Sequence, residues 1–262
     1  MSEMSSVNVH RRGAVTVLEL ARPATGNALA AELVADLSSA LASAQGAGVR
    51  ALVLTGGGKH FCTGADLREL AVNAEAPAEQ QGADAARLAA LYTALLRCPL
   101  LTVAAVRGAA YGGGAGLAAA CDVVIAGLDA SFQFSELRLG FVPALITTFL
   151  PRRVSAATLA RLYFDPQPLD AERAMVVGLA DEVAPEPLEA AVGRSLAICR
   201  KVAPSAIAET KRLLLAAALP RLDQQLAEAV HANARQRAHP ECRRGVAEFL
   251  ERKAFPDWIE EG

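Results

Sequence analysis

The sequence has little of what announces most site chemistries. Its five cysteines (Cys62, Cys98, Cys121, Cys199, Cys242) are widely spaced, form no C-x-x-C pair and have no histidine at zinc-site spacing. That excludes a zinc ribbon and a dithiol redox motif, and an odd number does not make a closed disulfide framework. They read as small hydrophobes in a reducing cytosol. The four histidines (His10, His60, His231, His239) fall in no metal or triad pattern, and His60, just after a strand, reads as a loop residue. No G-x-S-x-G elbow is present for a serine nucleophile. No metal is expected. Neither sign of charge dominates: 26 basic and 28 acidic residues give a net −2, with no long basic run. This argues against non-specific nucleic-acid binding and against a polybasic membrane anchor. The longest apolar stretch, residues 100–126, is interrupted by Arg107, five glycines and Asp122, so no membrane span is expected. Residues 1–10 lack the charged start and apolar run of a signal peptide. A soluble, cytoplasmic protein is expected, with neither nucleic acid nor membrane as partner.

What is present is apolar residues in quantity: 53% of 262 residues are hydrophobic, enough for one large core. Residues 7–11 and 15–20 are β-branched runs flanking Arg12-Gly13, a hairpin pattern. Residues 29–44 repeat at helical spacing through Leu33, Val34, Leu37 and Leu41 and stop before Gly46. Residues 50–55, 101–106 and 123–126 read as strands. Residues 71–84, rich in Ala, Glu, Gln and Pro, read as a mobile loop leading into a helix that ends by Cys98. Strands alternating with helices predict an α/β architecture with parallel pairing, though not a large open sheet. From Pro187 onward helical patterns dominate, broken at Pro204, Pro220 and Pro240. Two regions are therefore expected, residues 1–186 and residues 187–262.

Glycine clusters after strands invite a nucleotide-binding reading, which fails. From Gly112 or Gly56 the sixth position of G-x-G-x-x-G is Leu117 or Phe61, and Gly58-Lys59 is followed by His60 where a P-loop needs Ser or Thr. Two segments remain. Gly56-Gly-Gly-Lys-His-Phe-Cys-Thr-Gly-Ala-Asp-Leu67 follows one strand; Gly108-Ala-Ala-Tyr-Gly-Gly-Gly-Ala-Gly-Leu117 follows another and opens a helix. Glycines of this kind let backbone amides approach a negative charge closely. Two such amides on one oxygen would form an oxyanion hole. The same glycines equally suit tight turns and close helix packing, and the residues by themselves leave both readings open.

Asn27-Ala-Leu29, Phe61-Cys-Thr-Gly-Ala-Asp-Leu67, Gly112-Gly-Gly-Ala-Gly-Leu-Ala-Ala-Ala-Cys-Asp122 and Phe132-Gln-Phe-Ser-Glu-Leu-Arg-Leu-Gly140 resemble the crotonase (enoyl-CoA hydratase/isomerase) superfamily. So does the tail Gly245-Val-Ala-Glu-Phe-Leu-Glu-Arg-Lys253. The resemblance implies a spiral of ββα turns with a C-terminal helical trimerisation region, and a homotrimer or dimer of trimers. It places the oxyanion amides on Ala65 and Gly113, and a CoA-phosphate contact across a subunit interface on Arg252, with Arg68 a second candidate. No cofactor is implied beyond the coenzyme A of an acyl-CoA substrate.

The same resemblance frames the reaction. Typical hydratases of the superfamily carry two glutamates; the first position is Gly116 here, the second Glu136. Glu136 in turn suits the start of a helical turn after Ser135, or general acid–base work. A lone carboxylate suits double-bond isomerisation. Ser135-Glu-Leu-Arg-Leu-Gly-Phe-Val-Pro-Ala144 nevertheless resembles bacterial methylglutaconyl-CoA and carboxygeranoyl-CoA hydratases, which tend to lack the first glutamate and act on 3-methyl-branched chains. A hydratase is the first expectation and a Δ3,Δ2-enoyl-CoA isomerase the second. Decarboxylase chemistry and a non-catalytic or RNA-binding relative follow. Tyr111 reads as an acyl-pocket wall or a core aromatic.

Overall fold

In the computed structural model residues 5–259 are described, apart from Ala47, Ala74, Glu75 and Pro77. The strands are β1 (Val7–Arg12), β2 (Val15–Leu20), β3 (Ala51–Gly56), β4 (Leu101–Val106), β5 (Ala109–Tyr111), β6 (Val123–Ala126), β7 (Ser131–Gln133), β8 (Leu169–Asp170) and β9 (Glu182–Val183). Between them lie α1 (Ala31–Ser43), α2 (Leu67–Val72), α3 (Ala78–Leu96), α4 (Gly113–Ala120), α5 (Ala144–Thr147), α6 (Ala156–Phe164) and α7 (Ala171–Val177). Four helices close the chain: α8 (Pro187–Lys201), α9 (Pro204–Ala218), α10 (Leu222–Ala238) and α11 (Pro240–Arg252).

β1 and β2 form the antiparallel hairpin, and β2, β3, β4, β6 and β9 then add in parallel, giving one six-stranded sheet. A second sheet of β5, β7 and β8 stands beside it. This is more sheet than the sequence led us to expect. The additional strands run only two or three residues, too short to show a β period.

Alternation along the parallel strands sends two sets of side chains to opposite faces. Leu18, Leu52, Leu54, Ala104 and Val106 join α1, α3 and α4 in the larger core; Val17, Val53, Val103, Ala105 and Ile125 meet α8 on the other side. α8 packs mainly on β2, β3, β4 and β6. α10 lies along α3, and α11 packs on α2 and on the short 3-10 turn Glu136–Leu139.

The reading of residues 71–84 as a mobile loop is corrected. α2 continues to Val72 and α3 begins at Ala78, while Ala74, Glu75 and Pro77 lie outside the described residues. Ala, Glu and Gln are strong helix formers. The α3 face of Ala85, Leu91, Tyr92 and Leu95 is buried, which fixes the helix against α1 and α10. Among the described residues no helix is long and apolar enough to cross a membrane.

Candidate active site

The two glycine segments are laced together by backbone hydrogen bonds. Phe61 N–H donates to Arg107 O (2.8 Å), Cys62 N–H to Ala109 O (3.0 Å), and Tyr111 N–H to Cys62 O (3.0 Å). His60 Nδ1 accepts from Ala109 N–H at 3.1 Å, so His60 is a tie between the segments. Asn27, fully buried with φ +54°, braces the first segment. Its Nδ2 donates to Gly57 O (3.0 Å) and His60 O (2.8 Å), and its Oδ1 accepts from Arg22 N–H (2.9 Å). Leu29 N–H donates to Gly64 O at 2.8 Å.

Two glycines here require their lack of a side chain. Gly64 sits at φ +90°, and a Cβ on it would lie 2.8 Å from Tyr111 O and 3.6 Å from Gly113 N. Gly112 caps α4 at φ +48°, ψ −118°, where L-residues are strained. Ala65 and Gly113 both line one cavity of ≈ 650 Å³. Among the described residues neither N–H donates a hydrogen bond. The Gly113 amide is one of the orphan donors of a helix start, where the helix dipole also favours negative charge.

Glu136 lines the same cavity from the 3-10 turn. A Cβ on Gly112 would lie 2.9 Å from its Oε1, so the carboxyl rests directly on the backbone before Gly113. Its Oε2 is buried without a hydrogen-bond partner, and burial pushes its pKa up to about 7. A carboxyl so placed can give or take a proton near neutrality. The turn is held from beneath. A Cβ on Gly245 of α11 would come 2.4 Å from Leu139 O, and Gln236 Nε2 donates to Gly140 O at 2.8 Å. The tail glycine thus lets α11 seat against the turn that presents Glu136.

The space at Gly116 is filled. A Cβ there would lie 2.4 Å from Ile146 Cγ2 and 3.1 Å from Tyr92 Oη. Apolar packing and a hydroxyl occupy the volume a second acid would need. Among the described residues Asp66 is the other carboxylate lining the cavity, and it caps α2 by accepting from the Arg68 and Glu69 amides at 3.1 and 3.3 Å.

Of the sequence-derived candidates, Ala65, Gly113, Glu136 and the exposed Arg68 share this cavity. Arg252 is exposed at the end of α11 and is not among the lining residues. Tyr111 lines the wall with its hydroxyl 3.4 Å from Ser131 Oγ. Tyr92 and Ile146 carry no local signal. An aromatic at helical spacing and an apolar residue after Pro143 look like ordinary core until the fold sets them beside Gly116.

The sequence model described as "Enoyl-CoA hydratase/isomerase" matches residues 10–261. A Thermus thermophilus protein named as a candidate enoyl-CoA hydratase is 36% identical over 244 residues, 92% of this chain and 96% of that one. The crystal structure of an enoyl-CoA hydratase from Mycobacterium avium is 34% identical, superposes with a TM-score of 0.86 and covers 98% of this chain and 100% of its own. One from Bacillus halodurans is 26% identical with a TM-score of 0.87, covering 93% and 99%.

Proposed function

The chain belongs to the enoyl-CoA hydratase/isomerase family, and from that premise we propose that it hydrates an α,β-unsaturated acyl-CoA through a thioester enolate. The observation that carries this reading is one cavity holding two unpaired backbone amides, Ala65 and Gly113, beside Glu136. The amides donate hydrogen bonds to the thioester oxygen and stabilise the negative charge that develops on it, each worth roughly 3–4 kcal/mol in other enzymes. With the Gly116 volume filled, a single carboxylate serves both halves of the addition. As water oxygen bonds to the β-carbon, the Glu136 carboxylate takes one water proton and the C=C pair moves through the α-carbon onto the thioester oxygen. The enolate then collapses, and Glu136 returns that proton to the α-carbon. Atoms balance, the carboxylate is regenerated, and the reading needs no cofactor beyond the coenzyme A of the substrate.

A 3-methyl-branched enoyl chain is the first substrate class to try, on the strength of the residues 135–144 pattern, seven residues of which line the cavity, Glu136, Phe141 and Val142 among them. Arg68 at the cavity rim and Arg252 are the cations assigned to CoA phosphate. Self-association as a trimer is supported by α9, which buries none of its residues and leaves Leu213 and Leu214 54% and 65% exposed.

Δ3,Δ2-Enoyl-CoA isomerisation is the second reading, favoured by the same filled space: moving one proton between two carbons needs no water. Crotonyl-CoA, 3-methylglutaconyl-CoA, a 3-enoyl-CoA and a malonyl-type CoA, each incubated with the protein and analysed by product mass, separate these. A product heavier by one water supports hydration. An unchanged mass with a shifted double bond transfers the assignment to isomerisation.

A further inference from the structure

The amide that faces the thioester oxygen belongs to an intrinsically loose piece of chain. Gly112, Gly113, Gly114 and Gly116 make up most of the first turn of α4, and its N-cap has no side-chain hydrogen bond. Each glycine gives up more backbone freedom on ordering than an alanine would. An oxyanion donor helps only if it is already aimed before the charge appears, so something has to hold this turn.

Backbone bonds hold part of it: Gly112 N–H donates to Gln133 O (2.8 Å) and Gly116 N–H to Gly112 O (3.0 Å). Among the described residues, one side-chain hydrogen bond reaches the turn, from Tyr92 Oη to Gly113 O at 2.9 Å. The same hydroxyl would be 3.1 Å from a Cβ on Gly113 and 3.1 Å from one on Gly116. It is therefore seated in a notch that exists because both positions are glycine. Tyr92 is fully buried, and its ring is fixed against Phe149 at a centroid distance of 5.2 Å. Burial chiefly, with Cys62 and Glu136 nearby, drives its pKa well up, so the hydroxyl stays protonated and remains a donor.

We infer that Tyr92 is a positioning residue for the oxyanion hole: its hydroxyl clamps Gly113 and aims that residue's N–H at the thioester oxygen. Gly116 then has a positive purpose. It leaves the hydroxyl room to reach α4, where a second acidic side chain would push it away. The inference rests on the enolate reading above and goes beyond it by naming the device that preorganises the amide.

Acetoacetyl-CoA is the probe, because its enolate absorbs in the near ultraviolet and carries the charge the hole would stabilise. In the wild type, bound acetoacetyl-CoA should be substantially enolate near neutral pH. Tyr92→Phe keeps the ring on Phe149 and removes only the hydroxyl. It should raise the apparent pKa of the bound ligand so that the enolate fraction relative to keto falls about tenfold, and lower kcat by a similar factor with KM within about twofold. Phe149→Leu, which loosens the ring and keeps the hydroxyl, should lower the melting temperature and leave the enolate ratio near the wild-type value. An unmoved enolate ratio in Tyr92→Phe overturns the inference, whatever happens to kcat. So does an equal shift in both variants, which would reduce Tyr92 to packing. If the wild type itself binds acetoacetyl-CoA with no enolate signal, the enolate reading fails first, and the clamp with it.

Discussion

The two poles of the cavity are built by opposite means. The amide pole consists of main-chain N–H groups, laced by backbone hydrogen bonds from β5, with Asn27 bracing Gly57 and His60 and the Tyr92 hydroxyl bonded to Gly113 O. The other is one side chain, Glu136, on a four-residue turn seated on α11. Several contacts share the first task, whereas the second depends on a single carboxyl with an unpartnered buried oxygen. Function should accordingly be diffuse at one pole and concentrated at the other.

The sharpest way to break that contrast is Glu136→Gln. The amide keeps the shape of the carboxyl and cannot carry the proton. Turnover should fall about 10³-fold, the middle of the range for a general acid–base group. The acetoacetyl-CoA enolate should still form, because the amides are untouched. Steady-state kinetics together with ligand absorbance check both halves. Turnover within tenfold of the wild type would mean that another group moves the proton.

Next in size is an attempt to supply the second carboxylate. Gly116→Glu looks like a restoration when read against two-glutamate hydratases. In this fold its Cβ would sit 2.4 Å from Ile146 Cγ2, and the side chain would displace the Tyr92 hydroxyl. Overpacking and a buried charge together should lower unfolding free energy by about 3 kcal/mol, with no gain in hydration. Denaturant unfolding measures the first and kcat the second. A variant that is as stable as the wild type and faster would show that the filled space is no barrier.

Much of this is legible in the sequence. The long strands announced themselves through β-branched runs, and the family resemblance singled out Ala65, Gly113 and Glu136, which line one cavity. What stayed hidden depends on contacts between distant segments. β7 pairs with β5 through three residues each, too few for a period to show. The start of α3 was hidden because Ala-, Glu- and Gln-rich sequence is polar enough to pass for a loop; among its described side chains Gln81 and Ala85 are the first buried ones. Gly116 could be read as a missing acid, but not as a notch for Tyr92, because the two lie 24 positions apart in sequence. Asn27 belonged to a quoted motif; that it spans Gly57 and His60 needs the folded chain.

The smallest expected effect is thermodynamic, and it separates the poles by pH. Glu136 has its folded pKa raised to about 7 from 4.5. Between those values the folded state binds the extra proton, so unfolding free energy declines as pH rises through the window. Its favourable contribution is complete below the unfolded pKa and gone above about 7, where a charged carboxylate sits in a poorly solvated place. Glu136→Gln has no such proton to lose. Its unfolding free energy should match the wild type near pH 4.5 and exceed it by about 2 kcal/mol near pH 8, a figure reduced for the partial exposure of Glu136 to the cavity. The amide pole supplies the control. Tyr92 stays protonated across the whole window, so the stability difference between Tyr92→Phe and wild type should be flat with pH. Parallel curves for Glu136→Gln and wild type would show that burial does not hold the Glu136 proton, and a slope in the Tyr92→Phe difference would show that the amide pole titrates after all.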